Sequence, residues 1–379
     1  MQTSKFQGTK LREAREARGL TQSALSDLSR VAAARISHYE HERHQPDTET
    51  IDIFANTLNF PHHYFFRLPR QVDSQRKVFW RSKLSAKATE RTRVSRRFDW
   101  LVDTYLFLDR NIQFPDPSFP SLYVPDSLDA ITDDFIENAA DSLRSHWGLG
   151  RGPIANIVNC MESNGVVTSI QSMNDDYLDA FSEWNDLLQR PIIFLGANKV
   201  SYARRLFSAA HELGHMLMHR RIPVEEYQTK VALKKLERQA DYFASCFLLP
   251  SETFSADLYS LSLDALLSLK YSWQVSVSAM IMRLHQLGIF DDDAKRRAFI
   301  QMSRRKWNRH EPGDEPTTHD HPKLTENAFD VLLKSGKFTP DSIEHEIGLS
   351  TEDIESVTGL VPGSLRVELE NPYKLKLVT

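Results

Sequence analysis

Apolar positions recur along most of this chain at helical spacing. Over residues 1–70 they come in short bursts between turn residues, which predicts about four or five short helices. Gly19 closes the first, Thr21 can cap the second, and Leu25 and Leu28 give that helix an apolar side. Longer helical patterns follow at 98–112, 133–148, 202–220 and 231–249, the last stopped by Pro250. Two β-type runs interrupt them, "GVVTSI" at 165–170 and "PIIFLG" at 191–196. Further on, Trp273, Val277, Met280, Ile281 and Leu284 lie near helical spacing, as a core-facing stripe would. "TPDSIEHEIGLSTEDIESVTGL" then reads as two small capped helices.

The order helices, small sheet, more helices predicts an α+β fold, mostly α. The proline-rich stretch "FPDPSFPSLYVPDS" at 114–127 is a connector, and 303–324 is a polar break. Four parts are expected: a helix-turn-helix bundle at 1–70, a basic helical linker at 71–125, a zincin-like domain with a small sheet at 126–295, and a helical C-terminal region at 296–379 with an expected regulatory role.

Composition narrows the setting. The chain has 379 residues, 41% of them hydrophobic and 26% charged, so it can bury a core. Its net charge of −4 means that bulk charge does not make it a polyanion binder. Two cysteines exclude a disulfide scaffold and a cysteine-built zinc site, and fit a reducing compartment. The N-terminal stretch has no apolar signal region, and no apolar run approaches a membrane span. The expectation is a cytoplasmic protein without a membrane partner.

Candidate chemistry concentrates in "SAAHELGHMLMHR", 208–220. On a helix, His211 and His215 share a face, so both imidazoles can reach one cation. Glu212 then faces a water activated by that ion as general base, the H-E-x-x-H arrangement. Neutral imidazoles suit Zn2+ and leave a coordination position open. His219, one more step of four, fails as a third ligand: eight helical residues rise about 12 Å, too far for one ion to be bound at both ends. Glu237 in "LERQAD" is the better third ligand, on a following helix able to fold back. Asp241 lies one turn further and can accept the free N–H of a liganding histidine. Leu233, Ala244 and Leu248 share that face, so it should be buried, and a buried carboxylate needs a partner such as a cation.

"AAHELGHMLMH" followed by "ERQADYFASCFLLP" resembles the ImmA/IrrE-type metallopeptidases. Glu237, Ala240, Phe243, Ala244, Leu248, Leu249 and Pro250 match the second helix of that family, and Gln239 stands where many relatives have glutamate. The resemblance covers most of 140–290. It implies that His211, His215 and Glu237 bind zinc and that Glu212 activates water. The strand at Ile192–Leu195 is open to two readings: a sheet edge that holds an extended peptide substrate, or a core strand.

The front of the chain, from "LREAREARGLTQSALSDLSRV" to "AAARISHYE", resembles the Cro/CI-like (XRE) helix-turn-helix. Arg15, Gly19, Leu20, Thr21, Gln22, Leu25, Val31, Ile36, Ser37 and Glu40 match its pattern, whereas Arg30 replaces the turn glycine and Ala32 the serine cap. The resemblance implies that the second helix enters the major groove of double-stranded operator DNA, with Ala33, Ala34, Arg35 and His38 toward base edges and Gln22 on a phosphate. A module that binds only protein is the alternative. The run 76–97 carries nine lysines and arginines and could neutralise phosphates, or be a solvated helix face. A "FWRS" element at 79–82 also follows the DNA-binding domain in long relatives.

Together these readings predict a homodimeric transcription regulator fused to a zinc metalloendopeptidase of gluzincin type. By family analogy it would cut a repressor-type helix-turn-helix protein, itself or a partner. The alternative is a non-enzymatic repressor or antitoxin that uses the metal domain as a sensor or interaction module.

Overall fold

A computed structural model describes residues 5–70, 78–82, 88–171, 178–197, 201–314 and 321–366, with backbone alone for 78–82 and 178–179. The fold is α+β and mostly α. In chain order the helices are α1 (Gly8–Ala17), α2 (Gln22–Ser29), α3 (Ala33–Glu40), α4 (Thr48–Leu58), α5 (Ala88–Asp109), α6 (Asp133–His146), α7 (Ile157–Ser163), α8 (Tyr202–Gly214), α9 (Lys230–Leu248), α10 (Ser251–Ala256), α11 (Leu263–Trp273), α12 (Val277–Gln286), α13 (Asp292–Arg304), α14 (Leu324–Lys334), α15 (Pro340–Ile347) and α16 (Thr351–Thr358). The strands are β1 (Val78–Ser82), β2 (Val167–Gln171), β3 (Leu178–Asn185) and β4 (Arg190–Gly196). Among the described residues no helix is long and apolar enough to cross a membrane.

The chain divides into two compact units that do not follow the expected linear order. One holds 1–74, 86–113 and 324–379; the other holds 75–85 and 114–323. The expected helical linker at 71–125 is therefore shared out between them. The expected C-terminal region at 296–379 is also divided, and α13 runs across its expected start.

In the first unit, α5 supplies the buried side chains Val94, Phe98, Leu101, Tyr105 and Leu108, against which α1, α15 and α16 pack. Polar bonds fix this arrangement. Arg18 forks onto Asp353 at 2.6 and 2.7 Å, Trp100 Nε1 donates to Glu13 at 3.1 Å, and Arg67 donates to the carbonyls of His345 and Glu346 at 2.9 and 2.8 Å. These bonds join residues far apart in sequence, which local pattern cannot reveal.

In the second unit, the sheet order is β1-β3-β4-β2. β2 and β4 are parallel, with Val167 opposite Ile192. β3 is antiparallel to β4, with Ser182 opposite Ile193, and antiparallel to β1, with Phe79 opposite Ser182. β4 is buried along its whole length and lies inside the sheet, so it offers no free edge to a peptide. The core-strand reading of Ile192–Leu195 is the one that the topology supports. The "FWRS" element, expected in a helical linker, is β1. Two buried arginines tie the helices around this sheet. Arg283 of α12 forks onto Glu137 of α6 at 2.6 and 3.0 Å and donates to the carbonyl of Leu249, while Arg144 of α6 donates to the carbonyl of Gly150 at 2.8 Å.

Three helix pairs share one turn. In α2–α3, α11–α12 and α15–α16 a left-handed residue comes first (Arg30, φ 60°; Gln274, φ 56°; Gly348, φ 85°). A buried apolar residue follows (Val31, Val275, Leu349), and then the cap of the second helix (Ala32, Ser276, Ser350). Ser276 and Ser350 accept a backbone N–H; Ala32 has no side-chain acceptor. The missing turn glycine has not shifted the turn. Arg30 takes the left-handed conformation itself, at a cost of about 1–2 kcal/mol. Ala32→Ser supplies the absent acceptor and is expected to stabilise the first unit by about 1 kcal/mol, raising its thermal midpoint by roughly 2–4 °C. An unchanged midpoint in calorimetry contradicts this reading of the turn.

Candidate functional site

α8 carries His211 and Glu212, and His215 follows at its end, all three fully buried. At His215 the helix widens into a π-turn, His215–His219, a local form found mostly at functional positions. α9 lies directly against α8, and Gly214 is why it can: a Cβ there would meet the Phe243 ring at 2.9 Å. This close approach brings Glu237 of α9 to the two rings.

His211 Nε2 and His215 Nε2 are 3.0 Å apart. The Glu237 carboxylate stands 3.4 Å from the first and 3.6 Å from the second. A tetrahedral ion with ligand bonds of about 2.0–2.1 Å needs donor atoms about 3.3 Å from one another. The three separations bracket that value. The opposite nitrogens are already used: His211 Nδ1 faces Asp241 Oδ1 at 2.8 Å, and His215 Nδ1 faces His219 Nδ1 at 2.9 Å. With hydrogens on both Nδ1 atoms, both Nε2 lone pairs and a carboxylate converge, and a cation between them relieves the repulsion. The donor set fits a divalent metal ion.

Glu212 is oriented by Ser182 of β3, whose hydroxyl donates to Oε2 at 2.5 Å. Sequence reading missed both the strand and this serine, because "AFSEWN" does not alternate apolar and polar positions. It expected the Glu237 face to be buried; instead Glu237 is 30% exposed and Asp241 51%. The carboxylates line the open side of the site and the imidazoles the closed side. A cavity of about 330 Å3 runs on from Asp241 between Phe207, Ser245, Ala279 and Met282. His219 is fully buried behind His215, and burial pushes its ring down to about 3, so it is neutral. Gln239, also fully buried, sits behind it at 3.2 Å.

Residues 161–285 match the family model of the IrrE N-terminal-like domain, and residues 11–65 match that of the helix-turn-helix. The chain joins an XRE-type helix-turn-helix domain to an ImmA/IrrE-like domain. The second of these is metallopeptidase-like, and the first is of a DNA-binding kind. No curated protein matches the chain.

The three similar helix pairs differ in what occupies the start of the second helix. The first backbone N–H groups of α12 are taken by Glu311, which accepts from Val277 at 2.9 Å and Ser278 at 3.1 Å. The second helix of the last pair, α16, is acidic and anchored: Asp353 holds Arg18, and Glu355 accepts from Gly363 and Leu365. On α3, Ala34 and Arg35 are exposed while Ala33 and His38 are half-buried. Arg35 lies back on the Tyr39 hydroxyl at 2.7 Å, and His38 stacks near His44. Gln22 donates to Glu40 at 2.7 Å, which Arg15 also grips, so its amide is held inside the motif. Three of the four described arginines of the basic run are engaged within the protein. Arg93 pairs with Glu90 and Arg96 with Glu16, and burial pushes Arg97 down to about 10. Arg91 is exposed, and the other five basic residues of the run lie outside the described side chains.

Gly214→Ala tests the helix contact. Overpacking against Phe243 is expected to cost about 1–3 kcal/mol and to weaken metal uptake by moving Glu237 away from the rings. A folded variant that competes with a chelator as well as the wild type does would contradict this account of Gly214.

Proposed function

We propose that this protein is a cytoplasmic transcription regulator. As a homodimer it binds double-stranded operator DNA through α2–α3, and its second unit is a zinc endopeptidase that cuts a repressor-type helix-turn-helix protein. The observation that carries the enzymatic reading is the grouping of His211, His215 and Glu237 within 3.6 Å, with a held glutamate next in sequence. Two imidazoles and one carboxylate suit zinc. Bound there, zinc supplies an acidified water and polarises the scissile carbonyl. Glu212 takes the proton of the attacking water and passes it to the departing amine, so that peptide and water become a carboxylate and an amine. Ser182 keeps the Glu212 carboxylate aimed while this happens. Asp241, by accepting from His211 Nδ1, fixes that ring and raises its basicity.

Connectivity favours a separate protein as substrate over the chain itself. The backbone passes between its two units four times, near residues 74, 85, 113 and 323. One cut would leave the pieces of each unit linked by the remaining passages and by their own packing. Cleavage of self is thus a poor way to free the DNA-binding unit.

On DNA, Ala33, Ala34, Arg35 and His38 are the residues offered to base edges and Gln22 the one offered to a phosphate. Arg35 must swing from Tyr39 to reach a base.

Glu212→Gln separates the enzyme from a metal-bound sensor or antitoxin. Both wild type and variant are expected to hold about one zinc, and only the wild type to cut the repressor proteins encoded near it. Equal survival of those proteins with both forms would sink the peptidase reading. For the DNA reading, binding to a fragment of the neighbouring promoter should fall steeply with salt, and Arg35→Ala should lose about 1–3 kcal/mol of sequence discrimination. A flat salt response would point instead to a module that binds protein.

A further inference from the structure

We propose that Gln239 and His219 act as a positioning relay that fixes which nitrogen of His215 faces the metal. The inference rests on the reading of His211, His215 and Glu237 as a metal site. It follows from counting donors and acceptors along one buried row.

Gln239 projects from α9 two residues after Glu237 and is fully buried. One end of its amide faces two backbone carbonyls, Leu128 O at 2.8 Å and Ile131 O at 2.9 Å. Carbonyls only accept, so that end is the NH2 group, and both its hydrogens are spent. The amide oxygen is then the atom that faces His219 Nε2 at 3.2 Å. An amide oxygen also only accepts, so His219 carries a hydrogen on Nε2. Its other nitrogen, Nδ1, lies 2.9 Å from His215 Nδ1, a gap that holds one hydrogen. With Nε2–H in place, the single-hydrogen form of His219 accepts at Nδ1, and His215 donates. His215 Nε2 is left with its lone pair, directed to where His211 Nε2 and Glu237 Oε1 stand 3.0 and 3.6 Å away.

The two liganding rings are thus set by different means. His211 leans on the half-exposed Asp241 carboxylate, and His215 on a row without net charge. The row begins at the main chain of 128–131, so the segment before α6 contributes to the orientation of a ring at the end of α8. The π-turn at His215–His219 belongs to the same device, since it sets the ring centroids 5.0 Å apart. Gln239 also explains why an amide suits this position. A glutamate has no hydrogens for the carbonyls of Leu128 and Ile131.

The test reads hydrogen positions and metal affinity, not activity. In 15N-detected NMR of the chelator-stripped full chain, His219 is expected in its Nε2–H form and His215 in its Nδ1–H form. A hydrogen on His219 Nδ1 overturns the relay. Zinc affinity, measured by competition with a chelator, is expected to fall about 10–100-fold in His219→Phe, which keeps a ring but removes the acceptor. His219→Asn, which restores an acceptor, should recover part of that loss. Gln239→Leu should show mixed His219 tautomers. A folded His219→Phe that binds zinc as tightly as the wild type also overturns the relay. A wild type that takes up no zinc sinks the metal reading instead, while the tautomers still decide the relay.

Discussion

Two lone pairs and a carboxylate brought together are the constraint from which the second unit is best understood. Two imidazole nitrogens at 3.0 Å with a carboxylate beside them form an arrangement that a cation between them would stabilise. Much of the surrounding structure serves to maintain it. Gly214 lets α8 and α9 touch, Arg283 and Arg144 hold the helices around them, and Asp241 and His219 occupy the far sides of the two rings. The exposed carboxylates and buried imidazoles give the site a wet face and a dry one. A substrate would meet it from the wet face.

The same three-residue turn recurs in three helix pairs, yet only one of them is equipped to meet nucleic acid. The difference lies in charge and occupancy and not in backbone shape. Glu311 sits where α12 would receive a phosphate, and the acids of α16 are committed to Arg18 and to the main chain. A shared fold element therefore has two uses here: one copy presents an open face, and two hold protein together.

The two histidines of the candidate metal site are legible in the sequence because a spacing of four on a helix is a geometric statement. Glu237 needed the added resemblance, since which carboxylate folds back depends on tertiary packing. Asp241 does stand beside His211, but it is not buried as expected: α9 turns that face to the mouth of the site and not to the core. β3 was missed because Ser182 and Glu183 interrupt its apolar run, and both are buried by partners that sequence does not name. The joining of α14–α16 to α1–α5 rests on contacts such as Arg18–Asp353 across more than three hundred residues. No local pattern carries that information. Gln239 departs from the family pattern in the sequence itself, but its row of hydrogen bonds depends on how α9 packs against the segment before α6.

The place of β1 bears on how the second unit can be studied alone. Its ladder with β3 is made by residues 78–82, well before the stretch at which that unit would ordinarily be taken to start. A fragment starting at residue 126 leaves the backbone of Leu178 and Phe181–Glu183 without this ladder, a stretch that includes the serine that steadies Glu212. Bare strand edges recruit other chains. Clumping or lost turnover in such a fragment would then reflect a missing neighbour strand, not the chemistry of the intact molecule.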